Sequence, residues 1–146
     1  MKGEPVEYKY ETYLSWTEAK KGILKSKGKQ DIAVSCPPEF GGHKNIWSPE
    51  DLFLASVEVC IMTTFIWFTK KENLCFKSYS SNAIGKAKIK NGKFRFCNID
   101  INIKITIDSE EDIEKIRKTL IKVERSCLIS NSVTTEINLN PVINVG

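Results

Sequence analysis

The stretch from Ser48 to Lys71 constrains this chain more than any other. Ser48 is a capping hydroxyl, Pro49 suits the first helical position, and Glu50 and Asp51 face the positive end of the helix dipole. A helix therefore starts at Pro49 and runs to about Lys71. Its middle, residues 52–68, is apolar nearly all round, interrupted by Glu58 and softened by Ser56, Thr63 and Thr64. A membrane span needs about 20 apolar residues. This stretch is shorter and carries a carboxylate, so the pattern predicts a buried central helix and no membrane partner.

The rest of the chain reads as strands and one more helix. At 146 residues it fits one domain, residues 1–146, and 41% hydrophobic with 27% charged residues is an ordinary globular balance. Residues 6–16 alternate as a half-buried strand does, and Lys21-Gly22 and Lys27-Gly28 punctuate two further short segments, 22–26 and 30–36. A small antiparallel meander is expected. Paired breakers and no periodicity make residues 37–47 a loop of the kind that borders sites. Asn91-Gly92 marks a tight hairpin between 86–90 and 93–96. The isoleucines at 99, 101, 103, 105 and 107 fall on odd positions, whereas Phe94 and Phe96 are even, so a β-bulge near Cys97 is expected. Ser109 caps a second helix whose Ile113, Ile116, Leu120 and Val123 form an amphipathic stripe. A last strand, 134–143, carries Pro141 and so is expected at an edge or to end early. The fold class is α+β.

Charge and cysteine usage narrow the chemistry. A formal net charge of +4 is modest, and the five basic residues between Lys86 and Arg95 alternate with Ala87, Ile89 and Phe94 as on a solvated strand face, so no nucleic-acid partner is expected. The first residues lack a secretion signal, which makes a reducing, cytoplasmic setting the default and the five cysteines free thiols. With no Cys-x-x-Cys pair and His43 as the one histidine, neither a metal site nor another cofactor is expected. Cys60 lies mid-helix on a face shared with Phe53, Ser56, Val57, Thr63, Thr64 and Trp67. Its ordinary reading is a small core residue, and Cys127 can likewise close the stripe of the second helix.

The set of short motifs carries more. Ser48-Pro49-Glu50-Asp51-Leu52, then Leu54-Ala55-Ser56 and Cys60-Ile61-Met62, followed far later by Cys127-Leu128-Ile129-Ser130 before a final strand, resembles the OsmC/Ohr family, the osmotically inducible and organic hydroperoxide resistance proteins. The order of elements matches as well. The resemblance implies an OsmC-like fold, antiparallel strands around a buried central helix carrying Cys60, assembled as an intertwined homodimer. It implies a thiol-dependent peroxidase that reduces organic hydroperoxides, with Cys60 attacking the peroxide, Cys127 resolving and Glu50 as a site carboxylate. An external dithiol would restore the pair. Phe40, Trp47, Phe53 and Trp67 are the expected substrate-binding side chains, favouring organic over hydrogen peroxide.

Physical chemistry sets two conditions on that expectation. An ordinary thiol, with a pKa of about 8.5, is only a few per cent ionised at neutral pH, so Cys60 needs a cation or donors to hold its thiolate. The helix dipole fades within about one turn, and Cys60 is nearly three turns in. Where the family's peroxidases pair an amino-terminal arginine with the helix-start glutamate, this chain has no arginine before Arg95, leaving Lys44, His43 or Arg125 as cations. Leu128 stands where the family usually has proline, and Glu58 where it has small residues; about 200° of helical rotation turns Glu58 away from Cys60. Glu50 and Cys60 are about 15 Å apart along one helix, so a Glu50 serving a Cys60 site belongs to another subunit or acts through an intermediary. A non-catalytic dimer binding an apolar small molecule at its interface is the alternative.

Overall fold

In the computed structural model, which describes residues 3–146, the chain divides into two compact units, Met1–Leu52 and Phe53–Gly146. In the first, β1 (Tyr13–Glu18), β2 (Lys21–Lys25) and β3 (Ile32–Ser35) form the antiparallel meander that the punctuation suggests. The first strand is shorter than its alternation: the ladder opens at Tyr13 paired with Lys25, and Tyr8 and Tyr10 lie exposed ahead of it. Gly28 turns the chain with φ of 75°, but Gly22 does not. It sits inside β2, where a Cβ would come within 2.9 Å of the Ser15 carbonyl oxygen, so its smallness serves strand approach instead. The loop that follows holds one short 3₁₀ turn, Pro38–Phe40. A Cβ at Gly42 would fall 1.6 Å from the Cys36 carbonyl oxygen, which explains the second glycine of that loop.

Helix α1 runs Pro49–Lys71, the bounds its caps dictate. Ser48 Oγ accepts the Asp51 N–H at 3.1 Å, while the Asp51 carboxylate accepts the Ser48 N–H at 3.0 Å and its hydroxyl at 2.9 Å. That reciprocal box satisfies donors a helix start otherwise leaves orphaned. By length and composition α1 is able to span a membrane. Here Val57, Ile61, Phe65 and Thr69, a strict i, i+4 stripe, are buried, and the first three join the core. Burial is not all round: Val59, Ile66 and Trp67 are exposed.

The second unit continues with β4 (Ser78–Lys90), β5 (Lys93–Ile107), α2 (Ile113–Ser126), the one-turn α3 (Leu128–Asn131) and β6 (Glu136–Val145). Its sheet order is β4-β5-β6. Asn91 and Gly92, with φ of 51° and 74°, make the predicted tight turn, but the hairpin is far longer than its tip. Lys86 pairs with Asn98 and Ala87 with Phe96, so Cys97 is the extra residue of a bulge at the expected place. The purely antiparallel expectation needs correction, because β6 lies parallel to β5. The connection through α2 supplies the long crossover that parallel pairing requires. Pro141 sits on this edge strand, as expected, yet the strand continues to Val145.

Alternation along β5 puts Ile99, Ile101, Ile103, Ile105 and Ile107 into the core with Ile116, Leu120 and Val123 of α2. Each such side chain, fully removed from water, contributes about 1.5–3 kcal/mol. On the other face an amide ladder ties the strands: Asn140 donates to Asn102 at 3.2 Å and Asn102 to Asn82 at 3.0 Å. Tyr79 of β4 is packed against Phe65, ring centres 5.4 Å apart, with its Oη buried and without a hydrogen-bond partner among the described residues. The nearby Ser81 hydroxyl is committed to Glu58 Oε1 at 2.9 Å.

Burial, then the Glu58 charge, push the Tyr79 phenol up to about 12; the Ser81 hydroxyl, close by but outside hydrogen-bond geometry, offsets a part. A raised phenol keeps its proton in the fold while the unfolded chain ionises near pH 10, so stability is lost as pH climbs from about 10 to 12. Tyr79→Phe should flatten that alkaline loss and cost nothing measurable at pH 7, since it removes an unpaired buried hydroxyl. Urea unfolding at pH 7 and pH 11 checks both; a destabilised variant at pH 7 would show that the hydroxyl has a partner.

Candidate active site

Two elements bring the chain's thiols together. Cys60 is half-buried on α1, and Cys127, fully buried, is the residue at which α2 ends and α3 begins. The Cys127 N–H closes α2 on the Val123 carbonyl at 2.9 Å, and the Cys127 carbonyl accepts from Asn131 at 3.0 Å. With φ of −68° and ψ of 115°, Cys127 breaks the helical path, and the chain re-enters a helix with the Leu128 and Ile129 N–H groups directed at Cys60. The two sulfurs lie close enough for each to shift the ionisation of the other.

The environment splits the two thiols in opposite directions. Burial by itself would raise Cys60; the Ile129 N–H, the Cys127 thiol, the Thr64 hydroxyl and the Leu128 N–H all donate to its thiolate and together hold it below the ordinary thiol value. Cys127 is raised, first by burial; the Ser130 hydroxyl opposes this, the neighbouring Cys60 adds to it, and the Ser130 N–H opposes it again, with the net shift upward. The fold thus sets a half-exposed thiol, held toward its thiolate, beside a buried thiol held toward its protonated form.

The donors are the part that the sequence reading missed. Thr64 lies one turn after Cys60, on the face already assigned to it. The Leu128 and Ile129 N–H groups carry no side-chain signature, so of the cation or donors that the thiolate needs, these donors have no mark in the sequence. Glu58 turns to the sheet and Ser81, away from Cys60 as helical rotation suggested.

The other site residues divide. Trp67 lies two turns beyond Cys60, its ring edge-on to Phe68 at 4.9 Å and under the Lys71 ammonium, also at 4.9 Å. Thr63, Thr64, Trp67, Phe68, Lys71 and Ser126 line a cleft of about 550 Å³, which reaches Thr64 beside Cys60. Lys71 is the cation on that cleft. Phe53 stacks on Phe96 at 5.3 Å, and Gly85 leaves them room: a Cβ there would meet Phe96 at 2.8 Å and Leu54 at 2.7 Å. Glu50, Phe40 and Trp47 belong to the first unit. Glu50 Oε2 is buried there without a hydrogen-bond partner among the described residues, and Phe40 and Trp47 are exposed. The first unit also holds an apolar cavity of about 420 Å³ lined by Leu14, Trp16, Leu24, Val34, Pro49 and Leu52 among others.

Six strands among the described residues, with one free cysteine on the long helix and another at the end of the second helix, define an α+β class. Residues 41–141 match the OsmC-like protein family, and the chain belongs to it. It is 31% identical over 131 residues to an uncharacterized protein of Methanocaldococcus jannaschii, an alignment covering 90% of this chain but 65% of that protein. The chain thus spans about two thirds of that relative's length. Its fold is similar to that of an OsmC-like protein of unknown function from Vibrio cholerae, with a TM-score of 0.85 at 19% identity over 93% of this chain and 100% of that one. It is also similar to an organic hydroperoxide resistance protein from Elizabethkingia anophelis, with a TM-score of 0.75 at 20% identity over 98% and 100% of the two chains.

Proposed function

We propose that this protein is a cytoplasmic thiol peroxidase that reduces organic hydroperoxides. The observation that carries the reading is the meeting of a half-exposed Cys60 on α1 with a buried Cys127 at the end of α2, and the opposite directions in which their surroundings shift them support it. The Cys60 thiolate attacks the distal peroxide oxygen; the O–O bond breaks, the alkoxide takes a proton and leaves as an alcohol, and Cys60 becomes a sulfenic acid. Cys127 then displaces water from that sulfur and the pair closes as a disulfide. An external dithiol reduces it by exchange. Backbone N–H groups at Leu128 and Ile129 do the work assigned elsewhere to a cation, since fixed donors stabilise an anion without needing to reorganise. Trp67, Phe53 and the cleft of Thr63, Thr64 and Phe68 favour an alkyl group over a bare hydroperoxide.

A homodimer belongs to this reading. Val59, Ile66 and Trp67 leave one face of an apolar helix exposed, and Tyr13, Leu14 and Trp16 do the same for β1. A second copy covering these faces would bring a Glu50, Phe40 and Trp47 to a Cys60 from which the helix of one chain keeps Glu50 about 15 Å away. Each active site is then shared between subunits.

The apolar cavity of the first unit favours a second reading, an OsmC-like dimer that binds an apolar molecule without chemistry. Intact mass after one equivalent of an alkyl hydroperoxide separates the two. The peroxidase loses two hydrogens, and digestion finds Cys60 joined to Cys127. An unchanged mass, with the hydroperoxide still present in solution, sinks the enzyme and leaves the binder.

A further inference from the structure

Outside the thiol site, one element stands apart by charge. All ten residues from Lys86 to Arg95, the outer half of the β4–β5 hairpin, are exposed. They include Lys86, Lys88, Lys90, Lys93 and Arg95, and neither aspartate nor glutamate. These five charges exceed the formal net charge of the whole chain, +4, so the remaining residues are together net negative.

Read along one strand, the alternation looked like a solvated face. Register changes that. Lys90 pairs with Lys93 and Lys88 with Arg95, so both strands direct their cations to one side of the ribbon. Directly opposed residues are about 5 Å apart, and successive ones on a strand face about 7 Å. Like charges so placed repel and cost stability unless an anion is shared between them. Ion pairs among the described residues use Lys21, Lys25, Lys77, Lys115, Arg117 and Lys122, and none from this hairpin. Arg95 donates to the Thr134 hydroxyl at 2.9 Å.

We propose that this hairpin tip is a nucleic-acid-binding ribbon whose cationic face grips the phosphates of a duplex. A two-stranded β-ribbon has the width of the major groove, and five cations over about 15 Å meet a polymer carrying one charge per about 1.7 Å of axis. Charge complementarity selects the duplex over a bilayer. Ile89 and Phe94, both exposed, pair with each other on the opposite face, whereas a membrane ribbon needs its apolar and cationic side chains at one surface. Contacts to phosphate carry no base readout, so binding is insensitive to sequence.

The test is fluorescence anisotropy of a labelled 20-base-pair DNA duplex titrated with the full chain at salt from about 50 to 200 mM. Each neutralised phosphate contributes a slope of about −0.9 to log K against log salt, so five contacts predict about −4.5 and a loss of several hundredfold in affinity across that range. Replacing Lys88 and Lys90 by Gln should flatten the slope by about 2, and Ile89→Ser should leave it unchanged. An unchanged Cys60 alkylation rate shows that both variants fold. The proposal is overturned by no binding at 50 mM salt, by binding that ignores the two lysines, or by capture on vesicles containing anionic lipid but not on the duplex. It is equally overturned if Gln at 88 and 90 changes the oligomeric state, because the tip would then be an interface between copies.

Discussion

Cys60→Ser is expected to abolish hydroperoxide consumption, and Cys127→Ser to reduce it to a single turnover. The two losses differ because the two sulfurs differ. Cys60 is half-exposed and carries the donor set that holds a thiolate, whereas Cys127 is sealed in the core with its proton retained. A serine at 60 stays a neutral hydroxyl at any working pH and cannot take the peroxide oxygen. At 127 a serine hydroxyl still donates to Cys60, so the thiolate survives and the first attack proceeds. What is lost is the sulfur that closes the disulfide. The Cys127→Ser protein should therefore release one equivalent of alcohol, accumulate a sulfenic acid at Cys60 that a cyclic dione captures, and stop. Alcohol release per subunit and mass spectrometry of the captured adduct read both steps. Full turnover by Cys60→Ser would move the chemistry to Cys36, Cys75 or Cys97 and end the present assignment.

Which parts of this molecule are legible in its sequence follows from the range of the forces that set them. Helix α1 is found at its predicted bounds because a capping hydroxyl, an N1 proline and first-turn acids act within one turn. The bulge at Cys97 is legible for a similar reason, since the parity of isoleucine and phenylalanine records which face is buried. The parallel pairing of β6 is not, because nothing local to residues 136–145 states which strand lies beside them or in which direction. Neither does alternation alone define a strand: Tyr8 and Tyr10 keep the period but find no ladder. At the candidate site, the sequence singles out both of the cysteines that the fold brings together, but not most of the groups around them. A search for a cation looks at charged side chains, while the largest support of the thiolate here is a main-chain N–H, that of Ile129, a group that every residue but proline carries.

That point can be isolated with one substitution, because the conformation at Leu128 already suits proline. Leu128 is the first residue of α3 and largely exposed, and proline is favoured at a first helical position. The preceding Cys127, with φ of −68° and ψ of 115°, is extended, as a residue before proline must be. Leu128→Pro thus removes one N–H from the Cys60 thiolate with little else disturbed. Only the thiolate is alkylated, so the pH midpoint of Cys60 alkylation follows its ionisation. In the parent chain that midpoint should lie below the ordinary thiol value; in Leu128→Pro it should move upward, and in Leu128→Ala, which keeps the N–H, it should stay. A hydrogen bond to a charged group contributes about 1.5–3 kcal/mol in favourable settings, enough to lower the alkylation rate at neutral pH several-fold even when partly solvated. The Ile129 N–H, a larger contributor, remains in place, so the shift is partial. Equal midpoints in all three proteins would mean that main-chain donors do not support Cys60, and a charged side chain from a second subunit would then have to.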